Sequence, residues 1–168
     1  GKHESLMLLE IDRLPPEEMA QVEKRIRSVL DEVRAIVRDW SAMREKMLAL
    51  ADDMATRRMP ADDEGRREAQ EFLRWAAADH FTFFGYREYR VEKGTGILAA
   101  VEDSGLGLLR EGDTTPPRNI KTLAAHYLPQ GGSVDALILT KTNRRSTVHR
   151  KGYMDYIGVL EFDANGNP

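Results

Sequence analysis

From Met19 onward apolar side chains recur at alternating steps of three and four: Val22, Ile26, Val29, Val33, Ile36, Trp40, Met43, Met47, Leu50 and Met54. Sustained over about five heptads, this spacing predicts a long helix with one apolar seam. Such a seam can pack inside its own molecule or meet a second subunit as a coiled coil, and the pattern leaves both open. Val29, Val33, Ile36, Trp40, Met43 and Met47 are the candidate assembly surface. Flexible Met side chains at several seam positions specify register less sharply than Ile or Leu would, and Ser41 is a point where a second helix could begin after a kink. Upstream, Leu6 to Ile11 alternate weakly and predict a short strand. Pro15, Pro16, Glu17 and Glu18 then suit the first turn of the helix.

A break around Arg58 to Gly65 separates this helix from a second, expected from about Arg66 to Ala78, with Ala69, Phe72, Leu73 and Ala76 on one stripe. After Asp79 the period changes to two, with Phe81, Phe83, Gly85, Arg87 and Tyr89 on one face of a predicted strand. Further strands are expected at Ile97 to Val101, Leu106 to Leu109, Ala136 to Thr140, Ser146 to His149 and Tyr153 to Phe162. Glu111 to Arg118 reads as a loop and Asn119 to Tyr127 as a short helix. An Asn165-Gly166 pair is a hairpin turn signal whose partner strand would lie beyond Pro168, so the chain reads as a fragment of a longer protein. The predicted fold class is α+β: a long N-terminal helical segment followed by a mostly antiparallel sheet of about five strands.

Composition narrows the chemistry. A chain of 168 residues can bury a real core without a staple, and the absence of cysteine removes a thiol nucleophile, a Cys-based zinc site and a disulfide framework. The formal net charge of −3 gives no global attraction to nucleic acid. No apolar run approaches a membrane span and no signal-peptide pattern opens the sequence, which leads us to expect a cytoplasmic protein. His3, His80, His126 and His149 are scattered without metal-ligand spacing, and Gly94-Thr-Gly96 and Gly105-Leu-Gly107 do not complete a dinucleotide fingerprint. No catalytic, cofactor or metal residues are expected within the chain.

What stands out is the connector between two strand-like blocks, where Lys141, Arg144, Arg145, His149, Arg150 and Lys151 cluster. It reads as a charged hairpin that keeps a sheet edge soluble, as a site where Arg144 or Arg145 forks onto the carboxylate of an amino-acid effector, or as a contact with an acidic surface of another domain. Nucleic-acid binding is the least favoured reading. Arg144, Arg145, His149 and Arg150 are the candidate effector or interdomain residues. Gly85 and Gly158 sit in matching aromatic-x-Gly-x-x-Glu-aromatic patterns and could shape one pocket, although two unrelated strand bulges are the favoured explanation.

Several stretches together carry a family resemblance: Leu137 to Phe162 (LILTKTNRRSTVHRKGYMDYIGVLEF), Phe72 to Tyr89 (FLRWAAADHFTFFGYREY), Gly105 to Arg110 (GLGLLR), Leu8 to Arg13 and Val33 to Trp40. In them the chain resembles the N-terminal, non-catalytic region of the large bacterial NAD-dependent glutamate dehydrogenases. The resemblance implies ACT-like and PAS-like domains: residues 1–57 as a strand and long helix ending an ACT-like unit, 58–79 as linker and second helix, and 80–168 as a PAS-type or second ACT-like sheet domain cut before its last strand. It further implies a regulatory or assembly role in an oligomeric enzyme that oxidises glutamate to 2-oxoglutarate with NAD bound elsewhere. The partners would be other domains and subunits of the parent, with an amino-acid effector as a further candidate. A free-standing cytosolic sensor or scaffold is the alternative.

Overall fold

The computed structural model describes residues 5–56, 63–92, 97–110 and 137–161. Its dominant element is α1, Pro16–Thr56, a 41-residue helix about 60 Å long at 1.5 Å per residue. Pro16 opens it, Glu17 and Glu18 occupy the first turn, and the amides of Glu18 and Met19 donate to the Pro15 carbonyl at 3.0 and 3.2 Å. No Gly or Pro interrupts the sequence after Pro16, and α1 runs unbroken through Ser41, whose hydroxyl donates to Glu45 on its own helix at 3.2 Å. The expected kink is therefore absent.

α2, Asp63–Trp75, packs against the C-terminal third of α1. The core between them is Ala51, Met54, Ala69 and Leu73, flanked by Met47, Leu50 and Phe72. Alanines at 51 and 69 let the two helices approach closely. Gln70 donates its amide to the Ala51 carbonyl at 2.8 Å, and Arg74 pairs with Asp52 at 2.8 Å. A single π-type turn, Ala76–His80, follows α2 and leaves helical geometry at Ala78 and Asp79, the latter with φ of 63°. Arg44 of α1 donates to the Ala77 carbonyl there at 2.8 Å, and His80 stacks on Trp75 with ring centroids 4.6 Å apart.

Among the described residues six strands follow: β1 Gly85–Tyr86, β2 Tyr89–Val91, β3 Leu98–Ala100, β4 Leu106–Gly107, β5 Leu137–Arg145 and β6 Tyr153–Val159. They form three separate two-stranded antiparallel ladders, β1 with β4, β2 with β3, and β5 with β6. The α+β class and the antiparallel pairing match the sequence expectation, but one continuous sheet of about five strands does not form among the described residues. The predicted strand after Asp79 is split because its first part pairs with β4 and its second with β3. The predicted strand at Ser146 to His149 is instead a bend, closed where the Ser146 amide donates to the Gly152 carbonyl at 2.8 Å, and β5 extends to Arg145. Leu6 to Ile11 form no strand and stand exposed. The short helix expected at Asn119 to Tyr127, the loop before it and the Asn165-Gly166 turn lie outside the described residues.

The β5–β6 hairpin spans the middle of α1. Leu137, Ile157 and Val159 at its base pack on the Ala51–Leu73 cluster, while Arg144 and Thr147 at its tip reach Glu32. From Leu137 to Arg145 an extended strand covers roughly 27 Å, and from Ala51 back to Glu32 a helix covers roughly 28 Å. The hairpin and helix therefore run side by side.

Candidate functional site

Three polar contacts fasten the β-rich half to α1, and each starts from a different turn of that helix. The deepest involves Asp39, whose side chain is only 5% exposed. Its Oδ2 accepts from the Gly107 amide and from Arg110 Nε, both at 2.8 Å, and its Oδ1 accepts from Arg110 Nη2 at 2.6 Å. A carboxylate removed from water is costly unless its lone pairs are occupied, and the forked guanidinium meets that requirement. The Arg110 hydrogen bond holds the Asp39 carboxyl down at about 2, against the opposing push of burial, with the Gly107 amide assisting. Gly107 takes a left-handed φ of 59°, and a Cβ there would lie 2.4 Å from the Phe84 carbonyl oxygen. Only glycine fits that turn. The clasp joins the Val33–Trp40 and Gly105–Arg110 stretches, two of the stretches singled out in the sequence.

Farther along α1, Lys46 pairs with Glu88 at 2.9 Å, and Glu88 also accepts from the Tyr86 hydroxyl at 2.9 Å. The Lys46 ammonium lies 5.5 Å from the Tyr86 ring centroid. Chiefly the Lys46 hydrogen bond lowers the Glu88 carboxyl, while burial, then the bond to Glu88, raises the Tyr86 phenol. In β6, burial pushes the Tyr156 phenol up to about 12.

The third contact uses the basic connector. Arg144 donates to Glu32 Oε1 at 3.1 Å, and the Thr147 hydroxyl donates to Glu32 Oε2. Arg145 lies over the ring of its cross-strand partner Tyr153, with the guanidinium carbon 4.9 Å from the centroid. Lys141 pairs across the hairpin with Asp155 at 2.5 Å. His149, with φ of 69°, and Arg150 sit exposed in the bend beyond. Thus of the four candidate residues, Arg144 meets an acidic group of another element, Arg145 is stacked, and His149 and Arg150 share the outer bend.

Along the seam, Ile36 and Met43 are buried and Val29, Val33 and Met47 half-buried, whereas Trp40 is 40% exposed. Asp39 takes the inward place beside it. The inner part of the seam therefore meets the chain's own β1, β4 and α2, while its early positions Met19 and Ile26, with Leu30 and Val37 beside it, form a stripe that remains exposed. At 100° per residue these four fall within about 40° of one another. Gly85 pairs with Gly107, and Gly158 pairs with Ile138 in a different ladder, beneath the Tyr156 ring. The two glycines do not share a ladder.

Sequence reasoning missed Asp39 and Glu32. Asp39 did carry a signal, a lone acid beside Trp40 in an apolar seam; Glu32 sits among ordinary surface charges and carried none. Among the described residues no group of three or more His, Asp or Glu side chains is placed to hold a metal ion, and no helix is long and apolar enough to cross a membrane.

No protein-family model and no solved structure matches the chain. Curated relatives do. The NAD-specific glutamate dehydrogenase of Halomonas elongata is 35% identical over 171 residues, covering 97% of this chain and 10% of that protein. The enzyme of the same name from Pseudomonas aeruginosa is 36% identical over 169 residues, again covering 97% of this chain and 10% of its own length. Over nearly its whole length, therefore, the chain is similar to one segment of these NAD-specific glutamate dehydrogenases, a segment spanning about 10% of their length.

Proposed function

We propose that the chain is a non-catalytic joining segment of a large cytoplasmic NAD-dependent glutamate dehydrogenase, whose oxidation of glutamate to 2-oxoglutarate takes place elsewhere in the polypeptide. The observation that carries this reading is the outer stripe of α1. Met19, Ile26, Leu30 and Val37 extend over about 27 Å of helix, and Leu6 to Ile11 add a further exposed apolar run just ahead of it. Exposed apolar surface of this extent marks an interaction face.

In this reading the stripe docks on another domain or subunit of the parent, and Leu6 to Ile11 complete a sheet there, as the end of an ACT-like unit would. Residues 80–168 form the following PAS-type or ACT-like unit, carried on α1 by the Asp39, Lys46 and Glu32 contacts. Two relatives that each match 97% of the chain favour this over a free-standing sensor.

The test is sedimentation velocity of the whole parent enzyme carrying Leu30→Glu and Val37→Glu together. Both side chains point away from the described contacts, so the segment keeps its fold while the assembly sediments more slowly. An unchanged sedimentation coefficient in a correctly folded double variant removes the stripe from joining subunits.

A further inference from the structure

Glu32 has both carboxylate oxygens engaged by one short stretch of chain: a guanidinium from Arg144 on Oε1 and a hydroxyl from Thr147 on Oε2. One fork-bearing cation and one neutral donor on the two oxygens of a single carboxylate is a common way to hold a small carboxylate ligand. Here the carboxylate arrives from α1, and its side chain is 21% exposed.

The backbone that carries the two donors is held by hydrogen bonds within its own hairpin. The Thr142 hydroxyl donates to the Arg144 carbonyl at 2.9 Å and accepts from the Arg144 amide at 3.3 Å. Ser146 is buried, its amide closing the bend onto the Gly152 carbonyl at 2.8 Å and its hydroxyl bonded to the Val148 carbonyl. Arg145 is fixed on Tyr153. The hairpin tip therefore keeps the backbone of Arg144 and Thr147 in one short bend whichever carboxylate their side chains meet.

We propose that Arg144 and Thr147 form a carboxylate-binding site that Glu32 fills from within the chain, and that a small free carboxylate displaces Glu32 and releases the hairpin tip from α1. Ligand and latch are mutually exclusive, so binding and release are coupled in both directions. Exposed ion pairs of this kind are weak, so a metabolite-sized carboxylate can compete with Glu32. Arg150 and Lys151 in the adjoining bend are exposed, which favours a ligand with a second anionic group. The site is independent of the docking stripe, because Glu32 and Leu30 are about 200° apart around α1.

The experiment titrates the 168-residue chain with acetate and with succinate at constant ionic strength, chloride serving as the control, and follows heat of binding. Succinate is expected to bind Glu32→Ala at least tenfold more tightly than wild type, acetate to show the same order more weakly, and Glu32→Ala/Arg144→Ala to bind neither. Equal affinity in wild type and Glu32→Ala, no binding to Glu32→Ala, or undiminished binding to the double variant would each overturn the proposal. Near-UV circular dichroism reports whether Glu32→Ala is folded. If it is not, Glu32→Gln, which keeps a bond acceptor for Thr147 and loses the charge, replaces it in the same comparison, and the same results support or overturn the proposal.

Discussion

At the scale of single residues, Asp39 carries the heaviest electrostatic demand. Its carboxyl titrates near 3.8 when unfolded and near 2 in the fold, so the folded state favours the charged form. The sign follows: this stabilisation is complete above about pH 4 and disappears as pH falls through 2. A shift of that size is worth roughly 2 kcal/mol. Urea unfolding of wild type and Asp39→Asn should therefore show a stability gap of about that size at pH 6 that narrows markedly between pH 4 and pH 2; a gap independent of pH would mean that charge is not what the clasp uses. Gly107→Ala should cost about 2 kcal/mol or more, because a left-handed φ and a Cβ 2.4 Å from the Phe84 carbonyl act together. Equal denaturation midpoints for Gly107→Ala and wild type would contradict that geometry.

Among the elements, α1 was the most legible. Steps of three and four over a Gly-free and Pro-free run could hardly produce anything but a long helix, and Ile36, Met43, Ala51 and Met54 do turn inward. The partner of the seam was not legible, since apolar periodicity says that a face is covered and not by what. Nor could period two show that Phe81 to Arg90 would divide between two partners, because pairing is decided by β3 and β4 from elsewhere in the chain. Leu6 to Ile11 show the same limit: they have strand-like alternation, but a strand needs a neighbour, and the described residues offer none.

Arg144 and Arg145 were legible as a basic pair, while their occupants, Glu32 and Tyr153, were not. The α1–α2 junction gives the element-level prediction. Leu73 is fully buried at its centre, and Leu73→Ala should lower stability by about 2–5 kcal/mol, read as a fall in the denaturation midpoint. A change under about 1 kcal/mol, below the usual range for such a truncation, would show that the helices do not depend on that contact.

For the molecule as a whole, α1 works as a rod with two sides. One side holds α2, the β1–β4 ladder and the β5–β6 hairpin through the Ala51–Leu73 cluster, Lys46, Asp39 and Glu32. The other presents Met19, Ile26, Leu30 and Val37. A helix with both an occupied and an exposed apolar stripe is suited to carry one unit while fastening it to another, which is the role proposed for this segment in the dehydrogenase. The most direct measurement is amide hydrogen exchange over residues 6–28, compared between the 168-residue chain and the whole parent enzyme. Local helix opening is suppressed when a face is covered. The account predicts rapid exchange in the isolated chain and at least a tenfold slowing in the parent, confined to this stretch and not to the clasped half of α1. Identical exchange in the two settings would contradict it.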